Sequence, residues 1–389
     1  MTRLHRTLVL FTFVLIAGAL ACTLPLEIVF QTATPVATPW ATQALSPTPQ
    51  ATTPPPPTPT RTTGPTATTV ATRTPTPQPT HTATQTPSPT ATPPPNTQGP
   101  AILSQTDYQV VERVQLTNAG PGSVERLTLW VALITSLEPY QEILEWDAQP
   151  PDFEVVDDEY GNQYARIEYH NLPAGESVEA TLSYQVRVNE LAFDLSYCSG
   201  EMLQTFLEPE THVESDAEEI KALAQELLEG SNSPCHTLRA LYDYVGDNIS
   251  YSSYESGDRG AVWALEQGSG DCTEFADALL ALSRAAGIPA RFLEGVTYRA
   301  GERPDPGQIK HDWLEAYLPG HGWVPLDPTW GRFPERRERY FAQMSPDHIV
   351  VTRGRNLSTL GGYHYFYYNW SGVDVNLSHQ EDWSVSRAE

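Results

Sequence analysis

The stretch from residue 31 to residue 100 restricts the fold of this chain more than any other feature, because it cannot form a hydrophobic core. It consists mainly of Thr, Pro, Ala and Gln, it has no acidic residue, and it contains the run Pro54–Pro57. A segment with so little apolar surface does not recover the conformational entropy that ordering costs, and it remains unfolded or polyproline-like. The sequence therefore predicts a disordered Thr/Pro-rich stalk over residues 23–100, with folded domains only after it.

Residues 1–22 have the features of an export signal. Two arginines precede an apolar run from Leu8 to Ala21, which is too short for a comfortable membrane span. The residues before Cys22 leave several fates open. The alanines suit an ordinary signal peptidase, whereas Leu-Ala before Cys22 resembles a bacterial lipobox with Ala19 where Leu is usual. We expect a lipidated Cys22 that tethers the chain to the membrane, with free secretion or an uncleaved signal anchor as the alternatives.

The charge of the chain limits its partners. Its formal net charge is -25, whereas binding to nucleic-acid phosphates needs clustered Lys and Arg. Nucleic acid is therefore excluded as an expected partner. The pair Cys235-His236 lacks the spacing of a zinc site, so no metal is predicted. The sequence does not predict an oligomeric state.

The composition changes after Pro100, and residues 101–200 have the pattern of an antiparallel β-sandwich. Segments of strand-like composition alternate with turn signals that contain Gly, Pro, Asn and Asp. They contain no cluster of His, Cys or paired carboxylates, so we expect a structural or substrate-presenting role. The segments are residues 108–116, 124–133, 164–169 and 178–188.

Residues 201–389 are predicted to form a second, α+β domain. Apolar residues have helical spacing over residues 218–229, and another helix is expected to start at Ser233, an N-cap residue that Pro follows. Two strand-like segments near the end, residues 347–352 and 363–370, are predicted to complete the sheet of this domain. The aromatic density of the last segment is also compatible with a ligand-binding surface, but core packing is the expectation.

A cysteine lies at the start of a third predicted helix. Residues 268–276 have the sequence GSGDCTEFA, with Ser269 and Asp271 as candidate N-caps, and apolar residues then recur every three to four positions until Gly287. Cys272 therefore belongs to the first turn, where free amides and the helix dipole favour a thiolate, lower its pKa and can hold an oxyanion. A lone cysteine at a helix start is more often a small buried residue, but the residues downstream shift that balance.

A predicted hairpin brings a histidine and an aspartate together. If residues 318–320 are a three-residue loop, the two strands within residues 311–327 pair so that His311 faces Asp327. Directly opposed residues point to the same face of a sheet, which gives Asp327 the role of orienting the imidazole. Asp312 points to the opposite face and cannot do so. A register slip of one residue would remove this argument.

These residues supply a nucleophile, a base and an orienting carboxylate. Over roughly residues 216–334 the chain resembles the transglutaminase-like core superfamily, in particular its bacterial exported members. The resemblance implies a papain-like α+β fold and matches Cys272, His311 and Asp327 to the family's catalytic positions. It is carried by four blocks in order: GDCTEFA from residue 270, LSRAAGIPAR from 282, HDWLE from 311 and GWVPLDPT from 322.

The resemblance implies acyl transfer on the amide bonds of a protein or peptide substrate, without a cofactor. Transfer to water would make a cysteine protease or amidase, and transfer to an amine would make a protein-glutamine acyltransferase; the sequence leaves this choice open. The family's second oxyanion donor has no secure counterpart. Tyr251, Tyr254 and Trp263 are upstream candidates, and core packing is the expectation for each of them. A catalytically silent surface module for binding or adhesion, with the same fold, is the alternative.

Cys198 and Cys235 are the remaining cysteines. One follows the β-sandwich and the other lies on the predicted helix that begins at Ser233. The leader and the stalk place the domains outside the cell, where an oxidising compartment allows these two thiols to form a disulfide between the domains. Two unpaired buried thiols are the alternative.

Overall fold

The computed structural model of the protein describes residues 99–253, 257–300 and 309–388. The predicted signal segment with Cys22 lies outside the described residues, as does all but the end of the predicted linker. Within these ranges no helix combines the length and the apolar character that a membrane crossing requires.

The described chain contains fifteen strands and four α-helices. The strands are β1 (Ala101–Asn118), β2 (Val124–Leu133), β3 (Gln141–Gln149), β4 (Glu154–Asp157), β5 (Gln163–Leu172), β6 (Ser177–Ala192), β7 (Ser250–Tyr251), β8 (Ser269–Gly270), β9 (Ala290–Thr297), β10 (Lys310–Leu318), β11 (Gly322–Leu326), β12 (Gln343–Met344), β13 (His348–Arg353), β14 (Phe366–Gly372) and β15 (Leu377–Arg387). The helices are α1 (Glu218–Leu228), α2 (Pro234–Asn248), α3 (Ala261–Gln267) and α4 (Cys272–Ala285).

Two antiparallel sheets form the predicted β-sandwich. In one sheet β1 lies between β6 and β15, and β3 and β12 pair with the other edge of β6; the second sheet has the order β14-β2-β5-β4. Alternate residues face the interior, so that Val110, Val114, Leu127 and Leu129 are fully buried. The prediction of a sandwich is therefore confirmed, although the sequence patterns did not single out β3, β4, β12 or β15.

The last two strands of the described chain pair with strands of the β-sandwich. Residues 363–370 were expected to complete the sheet of the second domain, but β14 pairs with β2 and β15 pairs with β1 along its whole length. That prediction is wrong, because strand-like composition does not specify a partner. The sandwich is built from both ends of the described chain, and β13 alone of these C-terminal strands joins the other sheet.

The second part of the fold is an α+β core, in which α4 packs on a sheet of order β11-β10-β9-β13. Every residue of α4 from Thr273 to Arg284 is buried, and the helix ends before Gly287, whose φ of +78° is the left-handed conformation predicted there. The expected start of α2 is also confirmed, because the Ser233 side chain accepts the amide N–H of His236.

Cys198 and Cys235 form a disulfide with their Cα atoms 5.8 Å apart. The bridge joins the segment after the sandwich to the first turn of α2. That segment also contacts the turn between β10 and β11, where the His321 ring bonds the carbonyl oxygen of Tyr197 at 2.7 Å. The disulfide therefore restrains the hairpin that carries His311.

We expect reduction of this bridge to lower the free energy of unfolding by about 3–4 kcal/mol, the chain-entropy value for a loop closed by a sequence separation of 37 residues. Urea denaturation with and without dithiothreitol measures the change. Cys272→Ser should show the same shift, which separates the bridge from the free thiol. Equal midpoints under both conditions would contradict the prediction.

Candidate active site

A capping box fixes the turn that carries Cys272, the first residue of α4. The Asp271 carboxylate accepts the amide N–H of Thr273 at 3.0 Å, and the Glu274 carboxylate accepts the amide N–H of Asp271 at 3.0 Å. Of the two candidate N-caps, Asp271 is therefore the one that the helix uses. Cys272 lies on a rigid turn rather than in a loop.

A buried contact joins His311 on β10 to Asp327, which directly follows β11. His311 Nε2 and Asp327 Oδ2 are 2.9 Å apart, and the residues are 3% and 0% exposed. The predicted register is wrong by two residues, because the loop is residues 319–321 and Leu318 pairs with Gly322. Side chains alternate along a strand with a period of two, so this shift keeps His311 and Asp327 on one face.

Asp312 connects the start of α4 to β10. Its carboxylate accepts the hydroxyl of Thr273, the residue after Cys272, at 2.6 Å. Cys272 is thus held against the residue that follows His311. Asp312 bonds to α4 and not to the imidazole, in agreement with the face expected from the sequence.

The electrostatic surroundings of Cys272 differ from those predicted. Burial raises the pKa of its thiol well above the ordinary value, the carboxylates of Asp312 and Asp271 raise it further, and the hydrogen bond from the Asp312 backbone only partly offsets this. The predicted lowering is wrong, because a helix-terminus argument takes no account of burial or of a carboxylate on another strand. Burial also lowers the pKa of His311, against the opposing effect of Asp327. At neutral pH the two groups are a thiol and a neutral imidazole.

We expect alkylation of Cys272 by iodoacetamide to be slow at neutral pH and to accelerate through and beyond the pH of about 8.5 at which an ordinary thiol is half ionised. The reason is the raised pKa of the Cys272 thiol. Mass spectrometry of the peptide that contains Cys272 gives the rate at each pH. The same thiol in urea-denatured protein is the reference, and a rate that levels off below neutral pH would contradict the prediction.

Buried ion pairs fix α4 one turn beyond Thr273. Arg355 Nε donates to Asp277 Oδ1 on the helix at 3.0 Å, and its Nη2 donates to Asp258 Oδ2 at 2.7 Å. Burial raises the pKa of Asp277 to about 7, and the Arg355 guanidinium opposes that rise. Because side chains in two successive turns of the helix are held, the direction in which Cys272 faces is determined by the fold.

The candidate oxyanion donors lie in different places. Tyr251 on β7 pairs with Gly270, and its ring centroid is 6.4 Å from that of Phe275 in the first turn of α4. Burial and the charge of an ionised Cys272 raise the pKa of Tyr251 to about 12, so its hydroxyl remains a donor. Trp263 lies on α3 beneath the Arg259 guanidinium, which is 4.3 Å from the ring centroid. Tyr254 lies outside the described residues.

Comparison with known proteins agrees with this architecture. Residues 221–328 match the profile of the transglutaminase-like superfamily. This segment is similar to a transglutaminase-like core. The uncharacterized protein YebA of Bacillus subtilis is 31% identical over 132 residues, which are 29% of this chain and 18% of that protein. A protein-glutamine gamma-glutamyltransferase of Pseudomonas aeruginosa is 31% identical over 134 residues, 32% of this chain and 20% of the enzyme. The chain thus spans about a fifth of the length of each relative.

A solved structure shares the fold more widely. The crystal structure of a candidate cysteine protease from Cytophaga hutchinsonii superimposes with a TM-score of 0.54 at 17% identity, and the match covers 75% of this chain and 93% of that one. Neither the sandwich nor the transglutaminase-like core alone accounts for 75% of the chain. The structural similarity therefore includes both the β-sandwich and the α+β core, and it is a similarity of fold alone.

His348, on β13 beside the transglutaminase-like core's His311, is a site residue that the sequence patterns do not reveal. Its Nε2 is 3.3 Å from Asp327 Oδ2 and its Nδ1 is 2.8 Å from Asp347 Oδ1. The pairing of β13 with β9, which lies next to β10, brings it there. The one local signal is an Asp-His pair at the start of a predicted strand, and that signal becomes informative only once the strand order is known.

The side chains of His311, Asp327 and His348 also have the composition of a metal site. Their donor atoms lie within 4.8 Å of one another. Both imidazole rings, however, already bond the same carboxylate oxygen, and a second carboxylate holds the far nitrogen of His348. We therefore assign the cluster as a hydrogen-bonded network and not as a metal site.

Proposed function

We propose that the protein is a transglutaminase-like thiol enzyme that transfers acyl groups from protein or peptide amides through Cys272, His311 and Asp327. The observation that carries the proposal is the buried 2.9 Å contact between His311 and Asp327. The residue after His311, Asp312, binds the hydroxyl of Thr273, which directly follows Cys272. A nucleophile, a base and a carboxylate that orients the base form the constellation used for acyl transfer on several unrelated folds.

In the proposed reaction His311 acts first as a general base, because the thiol and the imidazole are both neutral at rest. The imidazole takes the Cys272 proton while the sulfur attacks the amide carbonyl carbon. It then gives that proton to the leaving amine as the C–N bond breaks, which leaves a thioester on Cys272. Water or an amine attacks the thioester, its proton passes through His311 back to the sulfur, and the free thiol returns. Asp327 stabilises the imidazolium in each half of the cycle.

Charge on the carbonyl oxygen requires donors near the start of α4. The amides of Thr273, Glu274 and Phe275 all bond to Asp271. We therefore assign the Cys272 amide as one oxyanion donor and the Tyr251 hydroxyl as the second. The position of Tyr251 beside Gly270 supports this choice, and its exposed fraction of 45% leaves it accessible to a substrate.

We further propose that the enzyme acts outside the cell, tethered through Cys22. The leader-like start and the Thr/Pro-rich segment after it support this location. The disulfide between Cys198 and Cys235 is of the kind that persists in oxidising compartments. A stalk between the membrane and the folded layers would let the site reach surface proteins.

The test is incubation of the full-length protein with a peptide library, with and without a labelled primary amine, followed by mass spectrometry. The library includes peptides with internal glutamine, because the Pseudomonas aeruginosa relative is named for glutamyl transfer. Peptide cleavage or conversion of glutamine to glutamate indicates hydrolysis, and incorporation of the amine indicates cross-linking. Both should be absent with Cys272→Ala. Equal amounts of product from the wild type and Cys272→Ala would refute the proposal. The absence of any product would refute it too, and would favour a binding module without catalytic activity.

A further inference from the structure

We propose that His348 is a positioning residue for the proposed triad: it donates to Asp327 from the side opposite His311 and keeps that carboxylate aligned. The inference rests on the proposed function for its catalytic consequence, but the arrangement itself rests on three contacts. These are His311 Nε2 to Asp327 Oδ2 (2.9 Å), His348 Nε2 to Asp327 Oδ2 (3.3 Å) and His348 Nδ1 to Asp347 Oδ1 (2.8 Å).

The protonation state of His348 follows from its partners. Both of its ring nitrogens face carboxylates, and an ionised carboxylate only accepts hydrogen bonds. Both nitrogens therefore carry hydrogen, and the ring is a cation. The electrostatics agree, since hydrogen bonds with Asp327 and Asp347 outweigh burial and raise the pKa of His348 to about 9. His348 is 2% exposed, so solvent screens this charge little.

His348 completes the bonding of Asp327. Asp327 Oδ1 accepts the amide N–H groups of Thr329 at 2.9 Å and Trp330 at 3.0 Å, while Oδ2 accepts from the two imidazoles. These four donors match the accepting capacity of an ionised carboxylate. The carboxylate is thereby fixed in orientation, and its pKa is lowered below the ordinary range despite burial, chiefly by His311 and also by His348.

Trp330 holds the two imidazoles in place. Its ring centroid is 4.9 Å from that of His311, nearly parallel, and 4.6 Å from that of His348, at a steep angle. Trp313 adds a perpendicular contact to His348 at 5.1 Å. Neither histidine can move relative to Asp327 without disturbing a packed indole.

The positive charge of His348 affects the pKa of His311, the proposed base. It opposes protonation of His311 and so helps to keep the pKa of that imidazole low. Removal of the positive charge would therefore raise the pKa of His311. Asp327 would lose one hydrogen-bond donor, would interact more strongly with the His311 imidazolium, and would raise the pKa of His311 further. The charged and titratable groups around the two rings are Asp327, Arg299, Asp347, Arg339 and Tyr340.

The experiment is NMR titration of the His311 ring in full-length wild type, in His348→Gln and in His170→Gln, which replaces an exposed histidine on the sandwich. The His311 signal is assigned from its loss in His311→Gln. We expect the pKa of His311 to rise in His348→Gln and to stay unchanged in His170→Gln. An unchanged pKa in folded His348→Gln would overturn the inference. If that variant does not fold, His348→Asn, which also removes the cation, should move the pKa in the same direction, and no change there would overturn the inference equally.

The pH dependence of kcat/KM, measured with a peptide that the wild type uses as a substrate, provides a second test. In His348→Gln the acid limb of the kcat/KM profile should move to higher pH, with KM unchanged. At a pH below the limb, kcat/KM of the variant should then be about tenfold lower than that of the wild type for each pH unit by which the limb moves. A merely structural role would lower the activity at every pH without moving the limb, and that result would overturn the inference. If the wild type turns over no peptide while the pKa of His311 still responds, the proposed function fails and the positioning role stands.

Discussion

Replacement of His311 by Gln is expected to lower kcat for amide turnover by on the order of 10⁶-fold, about as much as removal of the nucleophile itself. The size of the effect follows from the environment of Cys272, where burial and two carboxylates raise the pKa of the thiol. A thiol that is not ionised at rest needs a base at the moment of attack, and in the proposed mechanism only His311 supplies it. Gln keeps an amide that can donate to Asp327, so the fold should survive.

Single-turnover kinetics with a reactive peptide ester and an amide measure this loss. His236→Gln, which replaces an exposed histidine on α2, is the matched control and should retain wild-type rates. The double variant Cys272→Ala/His311→Gln should be no slower than either single variant, because residues that act as one unit are not additive. A loss of less than about a hundredfold in His311→Gln would place the base elsewhere.

Local interactions made much of the fold predictable. The N-cap at Ser233, the Asp271 cap before Cys272 and the left-handed Gly287 depend on a few neighbouring residues, and the structure contains all three. The hairpin shows how an error can be harmless, since a register wrong by two residues leaves His311 and Asp327 on one face.

Features set by distant residues were not predictable. The strand β14 pairs with β2, more than two hundred residues earlier in the chain, and nothing in its aromatic sequence specifies that partner. His348 reaches Asp327 only because β13 pairs with β9. The pKa of Cys272 depends on the Asp312 carboxylate from β10 as well as on its own helix. These effects belong to strand order and burial, which hydrophobic periodicity does not encode.

Replacement of Asp327 by Asn is expected to lower kcat by about 10⁴-fold and also to destabilise the protein, by about 3–5 kcal/mol. The buried carboxylate accepts four hydrogen bonds, two of them from imidazoles. An amide has one accepting oxygen, so at least one buried donor loses its partner. The amide N–H groups would also turn His311 Nε2 into an acceptor, which moves the imidazole proton to Nδ1 and removes the base from Cys272.

Asp312→Asn separates the role of Asp327 from the general cost of losing a buried carboxylate. Asp312 is also buried, but it bonds the Thr273 hydroxyl on the opposite face of β10, and burial together with the nearby Glu294 raises its pKa to about 7. Its replacement removes negative charge near Cys272, so the thiol pKa should fall and alkylation should accelerate while turnover changes little. Saturating kinetics and urea denaturation of both variants measure the contrast. An equal loss of kcat in the two variants would mean that orientation of His311 does not depend on Asp327, since Asp312 makes no contact with the imidazole that could account for such a loss.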